Sequence, residues 1–154
     1  MSKTIAVALA AALAAATVAP IQAQAKGGGT VTLTPAADMK WNDVEGFPGV
    51  KVVALQGDHT KGPNHVMMKL PGGFAAPLHH HTADHYVTVV TGTLVLTVDG
   101  KETKLPPGSY FAFTGKKSHL TKCDAGADCT LFVDNRAKWD VVPEGDKGAP
   151  AKKK

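Results

Sequence analysis

GFAAPLHHHTADHYVTVVTG, residues 73–92, is the stretch whose reading decides the fold. It carries four of the seven histidines: His79, His80, His81 and His85. Side chains along a β-strand alternate between faces, so His79 and His81 point one way and His80 the other. Thr82, Ala83 and Asp84 make a short polar break. His85 then opens Tyr86-Val87-Thr88-Val89-Val90-Thr91, a β-branched and aromatic run that reads as a strand. Two adjacent strands can therefore aim three imidazoles at a common point, a spacing that suits one metal ion.

The same alternation extends outward in both directions. Further strands are expected over 30–34, 50–55, 65–70, 94–98, 102–105, 109–113, 118–123, 130–133 and 138–142, with Gly and Pro punctuation between them. Asp99-Gly100 is a two-residue hairpin signal. In 65–70, Val66, Met68 and Leu70 share one face, which reads as core and turns His65 and Lys69 outward; a barrel interior with a polar pocket would invert the two faces. His59 lies in a polar loop and is expected at the surface. Trp41, in an irregular lead-in, is expected to lie as a lid on the core, and Tyr110, Phe111 and Phe113 to include residues that line the barrel, as core packing or as a pocket wall. Gly 16 and Pro 10 in 154 residues, with 44% hydrophobic content and no helical periodicity, indicate one all-β domain, a sandwich or barrel with a jelly roll among the options. No internal repeat or second domain is evident.

At the N-terminus, Lys3 precedes an Ala-rich apolar run that ends near Pro20, and Ala23-Gln24-Ala25 supplies a small-x-small cleavage site. Residues 1–25 read as a secretory signal peptide, too short in its apolar run for a membrane span. The expected organisation is 1–25 signal peptide, 26–49 N-terminal strand and lead-in, 50–142 barrel, and 143–154 a flexible basic tail. Secretion is expected, into the periplasm if the host is Gram-negative. Export makes Cys123 and Cys129 an expected disulfide pair across the turn 124–128, contributing about 2 kcal/mol for so short a loop. A redox pair or a soft metal site is the alternative, against which stands the absence of C-x-x-C spacing. The formal net charge of +4 owes much to Lys147, Lys152, Lys153 and Lys154. No basic or aromatic stripe elsewhere supports a nucleic-acid partner.

These residues resemble the cupin superfamily. Its first motif, G-x5-H-x-H-x3-E-x6-G, is matched by Gly73, His79, His81 and Gly92, with His85 standing where the family has Glu. Its second motif, G-x5-P-x-G-x2-H-x3-N, is matched by Gly108 and His119, while Thr114, Lys116 and Cys123 replace Pro, Gly and Asn. The resemblance covers roughly 50–142. It implies a single jelly-roll β-barrel with a divalent transition metal held inside by His79, His81, His85 and His119. Four neutral imidazoles would leave a dication its full charge, and imidazole suits Fe, Cu, Ni or Zn better than Mn or Mg. A slip of the turn by one residue would instead offer Asp84 as an anionic ligand.

Several function classes are excluded by absence of their motifs: there is no G-x-S-x-G elbow, P-loop or dinucleotide fingerprint. The resemblance implies a metal-dependent oxidoreductase, dioxygenase-like, acting on a small chelating substrate. A non-enzymatic protein that binds or senses a metal or small ligand is the alternative, favoured by the lack of an acid or base near the motif. A structural metal site in an interaction module is the third. Partners are expected to be a small-molecule ligand or substrate and, because small barrels leave edge strands, a second copy in a homodimer through 30–34.

Overall fold

The computed structural model describes residues 29–145. The predicted signal peptide and most of the basic tail lie outside the described residues. Every strand belongs to the unit that begins at Thr34. After a single 3-10 turn at Ala36–Asp38 come β1 (Asn42–Asp43), β2 (Lys51–Gly57), β3 (Asn64–Leu70), β4 (Ala75–His80), β5 (His85–Thr91), β6 (Leu94–Val98), β7 (Lys101–Leu105), β8 (Tyr110–Phe113), β9 (His119–Cys123), β10 (Cys129–Asn135) and β11 (Val142–Pro143). They form two antiparallel sheets, in the orders β1-β2-β3-β10-β5-β8 and β11-β4-β9-β6-β7. The all-β jelly roll is as expected.

Alternation sets the core. On β3, Asn64, Val66, Met68 and Leu70 are buried, and His65 and Lys69 face outward. On β5 the inward set is His85, Val87 and Val89; on β10 it is Cys129, Leu131, Val133 and Asn135. Together with Leu94 and Leu96 of β6 these apolar side chains fill the space between the sheets. Burying each stabilises the fold by about 1.5–3 kcal/mol.

Two turns use the backbone freedom that sequence alone signals. Asp99 (φ 51°) and Gly100 (φ 78°) both adopt positive φ, the requirement of the tight hairpin that joins β6 to β7. Gly92 turns at φ 72°, and a Cβ there would stand 2.6 Å from the Asp128 carbonyl oxygen. Cys123 and Cys129 stand at disulfide-bonding distance, Sγ to Sγ 2.07 Å. Because β9 and β10 lie in different sheets, this pair staples one sheet to the other rather than closing a simple hairpin.

Three local expectations are corrected. Residues 30–34 form no strand, and Val31 and Leu33 are 79% and 85% exposed. Their alternation is right for a strand, but a strand needs a hydrogen-bonding neighbour, and none pairs with them among the described residues. Residues 138–141 are likewise not a strand; only Val142 and Pro143 pair, with His80 and His79. The lid on the core is not Trp41, whose ring sits under the Lys69 ammonium at 4.9 Å. Trp139 packs against the core instead, edge-on to Phe47 at 6.2 Å.

Candidate metal centre

The histidines reach one end of the barrel from three directions. Pro77 has no N–H to give to β9, and the β4–β9 register shifts between Ala76 and His79. Beyond that irregularity His79 pairs directly with His119 of β9. His85 begins β5 opposite Phe113 of β8 and Asn135 of β10. His81 follows the end of β4. His79, His85 and His119 are 4%, 6% and 2% exposed; His81 is half-buried.

Ring centroids are 4.4 Å apart for His79 and His119, 5.0 Å for His79 and His81, and 5.4 Å for His81 and His119. One ring nitrogen from each of these three lies within 4.8 Å of the others, close enough for a shared cation. His85 is next to His81, at 4.5 Å between rings, but its nitrogens are outside that group. The structure therefore gathers three of the four expected residues tightly and sets the fourth at their side.

Each imidazole is turned by a backbone carbonyl. Nδ1–H of His79 donates to Pro77 (2.7 Å), that of His119 to Lys117 (3.0 Å), that of His85 to Ala83 (3.3 Å), and that of His81 to Asp140. A carbonyl only accepts, so the proton sits on Nδ1 and Nε2 keeps its lone pair. Burial disfavours the charged form, lowering His81 to about 3 and His119 to about 4 from the ordinary 6.5. Burial also lowers His79 and His85. At neutral pH the cluster is four uncharged imidazoles with Nε2 free, the form in which histidine binds metals. The residues fit a borderline divalent cation such as Fe, Cu, Ni or Zn.

A cavity of about 80 Å³ opens beside the cluster. It has room for a few waters or a small ligand. Its wall is apolar: Phe47, Leu70, Leu94, Phe111, Val133 and Trp139 are among the lining residues, and the polar ones are the four histidines and Thr121. Phe113 stacks on His119 at 3.9 Å and 10°. Of the three aromatics expected to include barrel-lining residues, Phe111 and Phe113 face inward, whereas Tyr110 is 61% exposed. No carboxylate or amine lines the cavity. Asp84 is not in the group of clustered ligand atoms, and its Oδ1 accepts from the Gly115 N–H at 3.0 Å. Asp99 and Glu102 bond Lys117 and Lys122 on the outer surface. His80 faces away from the cluster, as alternation requires, with Nδ1 at 2.7 Å from Glu144 Oε1, which also accepts from Ser118 Oγ.

Sequence reasoning missed Thr121, Trp139 and Asp140. Trp139 lies 6.0 Å from the His81 ring. A tryptophan and an aspartate sixty or so residues from the motif carry no pattern that marks them; only the packed chain brings them back.

A family model described as Cupin domain matches residues 66–134, which contain both histidine motifs. The polyketide cyclase RemF of Streptomyces resistomycificus has a similar structure, with TM-score 0.64, 17% identity, and coverage of 74% of this chain and 85% of that one. An RmlC-like cupin protein of Ralstonia eutropha gives TM-score 0.60 at 20% identity, covering 79% of this chain and 78% of its own. The DMSP lyase DddQ of Ruegeria pomeroyi gives 0.58 at 17% identity, covering 73% and 64%. Comparison with curated proteins found no match. The class that fold and site define is a cupin-type jelly-roll barrel with a histidine cluster able to hold a metal.

Proposed function

We propose that His79, His81, His85 and His119 hold a divalent transition metal, and that this chain is a secreted, metal-dependent oxidoreductase acting on a small chelating substrate. The observation that carries the reading is the tautomer set: all four Nδ1–H groups are spent on backbone carbonyls, leaving four Nε2 lone pairs at one end of an apolar cavity. His85 is proposed as the fourth ligand from its place beside His81. Fe or Cu held there would supply Lewis acidity and a redox couple to a bound enol or diketone. The chain's own residues do the rest. Phe111, Leu94, Val133 and Trp139 keep bulk water from the substrate's apolar part, and the Thr121 hydroxyl offers it one hydrogen bond. The pair at Cys123 and Cys129 supports an oxidising compartment. That compartment would be the periplasm in a Gram-negative host. Edge strands β7 and β8 leave unpaired backbone, and a homodimer is proposed on that ground.

A second reading is favoured by one observation: apart from the four histidines assigned to the metal, no acid or base lines the cavity. A periplasmic protein that binds or senses a metal or small ligand needs none. The cupin-type barrel does not choose between these, since similar structures carry names as different as cyclase and lyase. Elemental analysis of the purified protein, followed by oxygen-electrode assays with enols and β-diketones, separates them. Iron or copper with oxygen consumption that His81→Ala abolishes supports the oxidoreductase. Bound metal with no consumption across the panel supports the binding protein, and protein that takes up no metal ends both readings.

A further inference from the structure

Three of the four imidazoles are oriented locally and one is not. His79, His85 and His119 each donate to the carbonyl two residues earlier in sequence, inside β4 for His79 and in the loop entering the strand for His85 and His119. They are set as soon as those segments form. His81 donates instead to the carbonyl of Asp140, fifty-nine positions away in sequence.

Asp140 sits in a strap, residues 138–144, laid across the open end of the barrel. The Asp140 carboxylate accepts from the Thr82 N–H at 2.8 Å, so one residue grips both His81 and its neighbour. Burial alone would raise this carboxyl, yet its hydrogen bonds from Thr82 bring it below its ordinary range. On either side, Trp139 and Val141 turn into the cavity wall. The Trp139 N–H donates to the His59 carbonyl at 2.8 Å. Beyond them β11 pairs with His79 and His80 of β4.

We propose that the strap is a clasp that completes the metal centre, with Asp140 as the positioning residue for His81. This rests on the reading that the histidines bind a metal. With the strap docked, His81 presents Nε2 to the cluster; with it undocked, His81 loses the partner that fixes its ring. Metal uptake and strap docking must then favour each other by the same factor, because the coupling of two equilibria is reciprocal. The strap also supplies Trp139 to the cavity wall, so the element that sets the ligand shapes the space a substrate enters.

The test uses the full mature chain with Zn²⁺ and, separately, Co²⁺ as probes. Affinity is measured by titration calorimetry for the wild type, Asp140→Ala and Asp140→Asn. Trypsin cleavage after the exposed Lys138 is followed with and without metal, and circular dichroism confirms that each variant is folded. Asp140→Ala removes the grip on Thr82, whereas Asp140→Asn keeps an acceptor oxygen there. The expected results are binding about tenfold weaker in Asp140→Ala, where the carbonyl that accepts from His81 remains but is no longer held in place by the Thr82 tether, near-wild-type binding in Asp140→Asn, and slower cleavage after Lys138 when metal is present. Equal affinity in all three proteins with a cleavage rate indifferent to metal overturns the clasp while leaving the metal centre standing. No binding of either ion to the wild type overturns the metal reading and the clasp together.

Discussion

The two ends of the barrel are built on opposite terms, and strand β10 runs from one to the other. At its first residue, Cys129 lies beside Leu70 and reaches Cys123 across the sheets. There Leu94 is fully buried, and backbone groups bond one another directly, as Asp124 N–H does to the Thr93 carbonyl at 2.9 Å. At its last residue, Asn135 lies between Asn64 and His85. Asn135 Nδ2 donates to Asn64 Oδ1 at 2.8 Å, and Asn64 Nδ2 reaches the Ala137 carbonyl at 3.2 Å. The closed end holds by apolar burial and a cross-link. The open end is polar, and stays folded because each buried polar group has its own partner. What the difference teaches is that the histidines can be uncharged, buried and convergent because the other end supplies the stability.

The comparison can be broken at either end. Leu94→Ala at the closed end should lower unfolding free energy by about 2–5 kcal/mol in a denaturant titration, since Leu94 is fully buried and its removal leaves a cavity. At the open end His119→Ala should weaken Zn²⁺ binding by more than about 100-fold, beyond the loss of an outer partner alone, in calorimetric titration. Its urea midpoint without metal should move less than that of Leu94→Ala. Replacing Cys123 and Cys129 together by Ala should cost about 2 kcal/mol. Metal affinity of the folded protein should not change, and a matching loss of affinity would mean the ends are not independent.

Acid should act on the open end first. The histidines are held uncharged in the folded protein, His81 to about 3 and His119 to about 4, while the unfolded chain protonates near 6.5. Their contribution is complete above pH 6.5 and is lost as pH falls from there toward 3, because only the unfolded chain binds protons in that window. Melting temperature of the metal-free protein measured down that range should decline, and the decline should shrink in His81→Ala. The smallest effect is expected at Lys116, which stands where the resembled motif has glycine and adopts φ 60°. Lys116→Gly should raise stability by no more than about 1 kcal/mol, as relief of left-handed backbone strain is offset by added chain entropy.

Much of this was legible before any coordinates. Strand positions from 50 to 133, the hairpin at Asp99-Gly100 and the inward faces of β3 and β5 follow from alternation and turn chemistry. So does the outward turn of His65 and His80. Those signals are local, and a local signal survives when tertiary contacts agree with it. Residues 30–34 and 138–141 show where it stops. Both alternate well enough to be strands, but alternation names a face and not a neighbour. Trp41 and Trp139 are similar choices for a lid, and nothing near either in sequence says which one meets Phe47.

The amino-acid sequence by itself determined an all-β chain, a cysteine pair placed to bridge, and histidines at the spacing of one metal site, because strand period, turn geometry and ligand spacing are short-range properties. Only the tertiary structure decided that His79, His81 and His119 lie closest, with His85 at their side. It also decided that Asp84 is tied away and that Asp140 and Trp139 come back to close the centre. Those outcomes depend on which segments pack together after long loops have closed, and the free energy that selects them belongs to the assembled barrel rather than to any stretch of it.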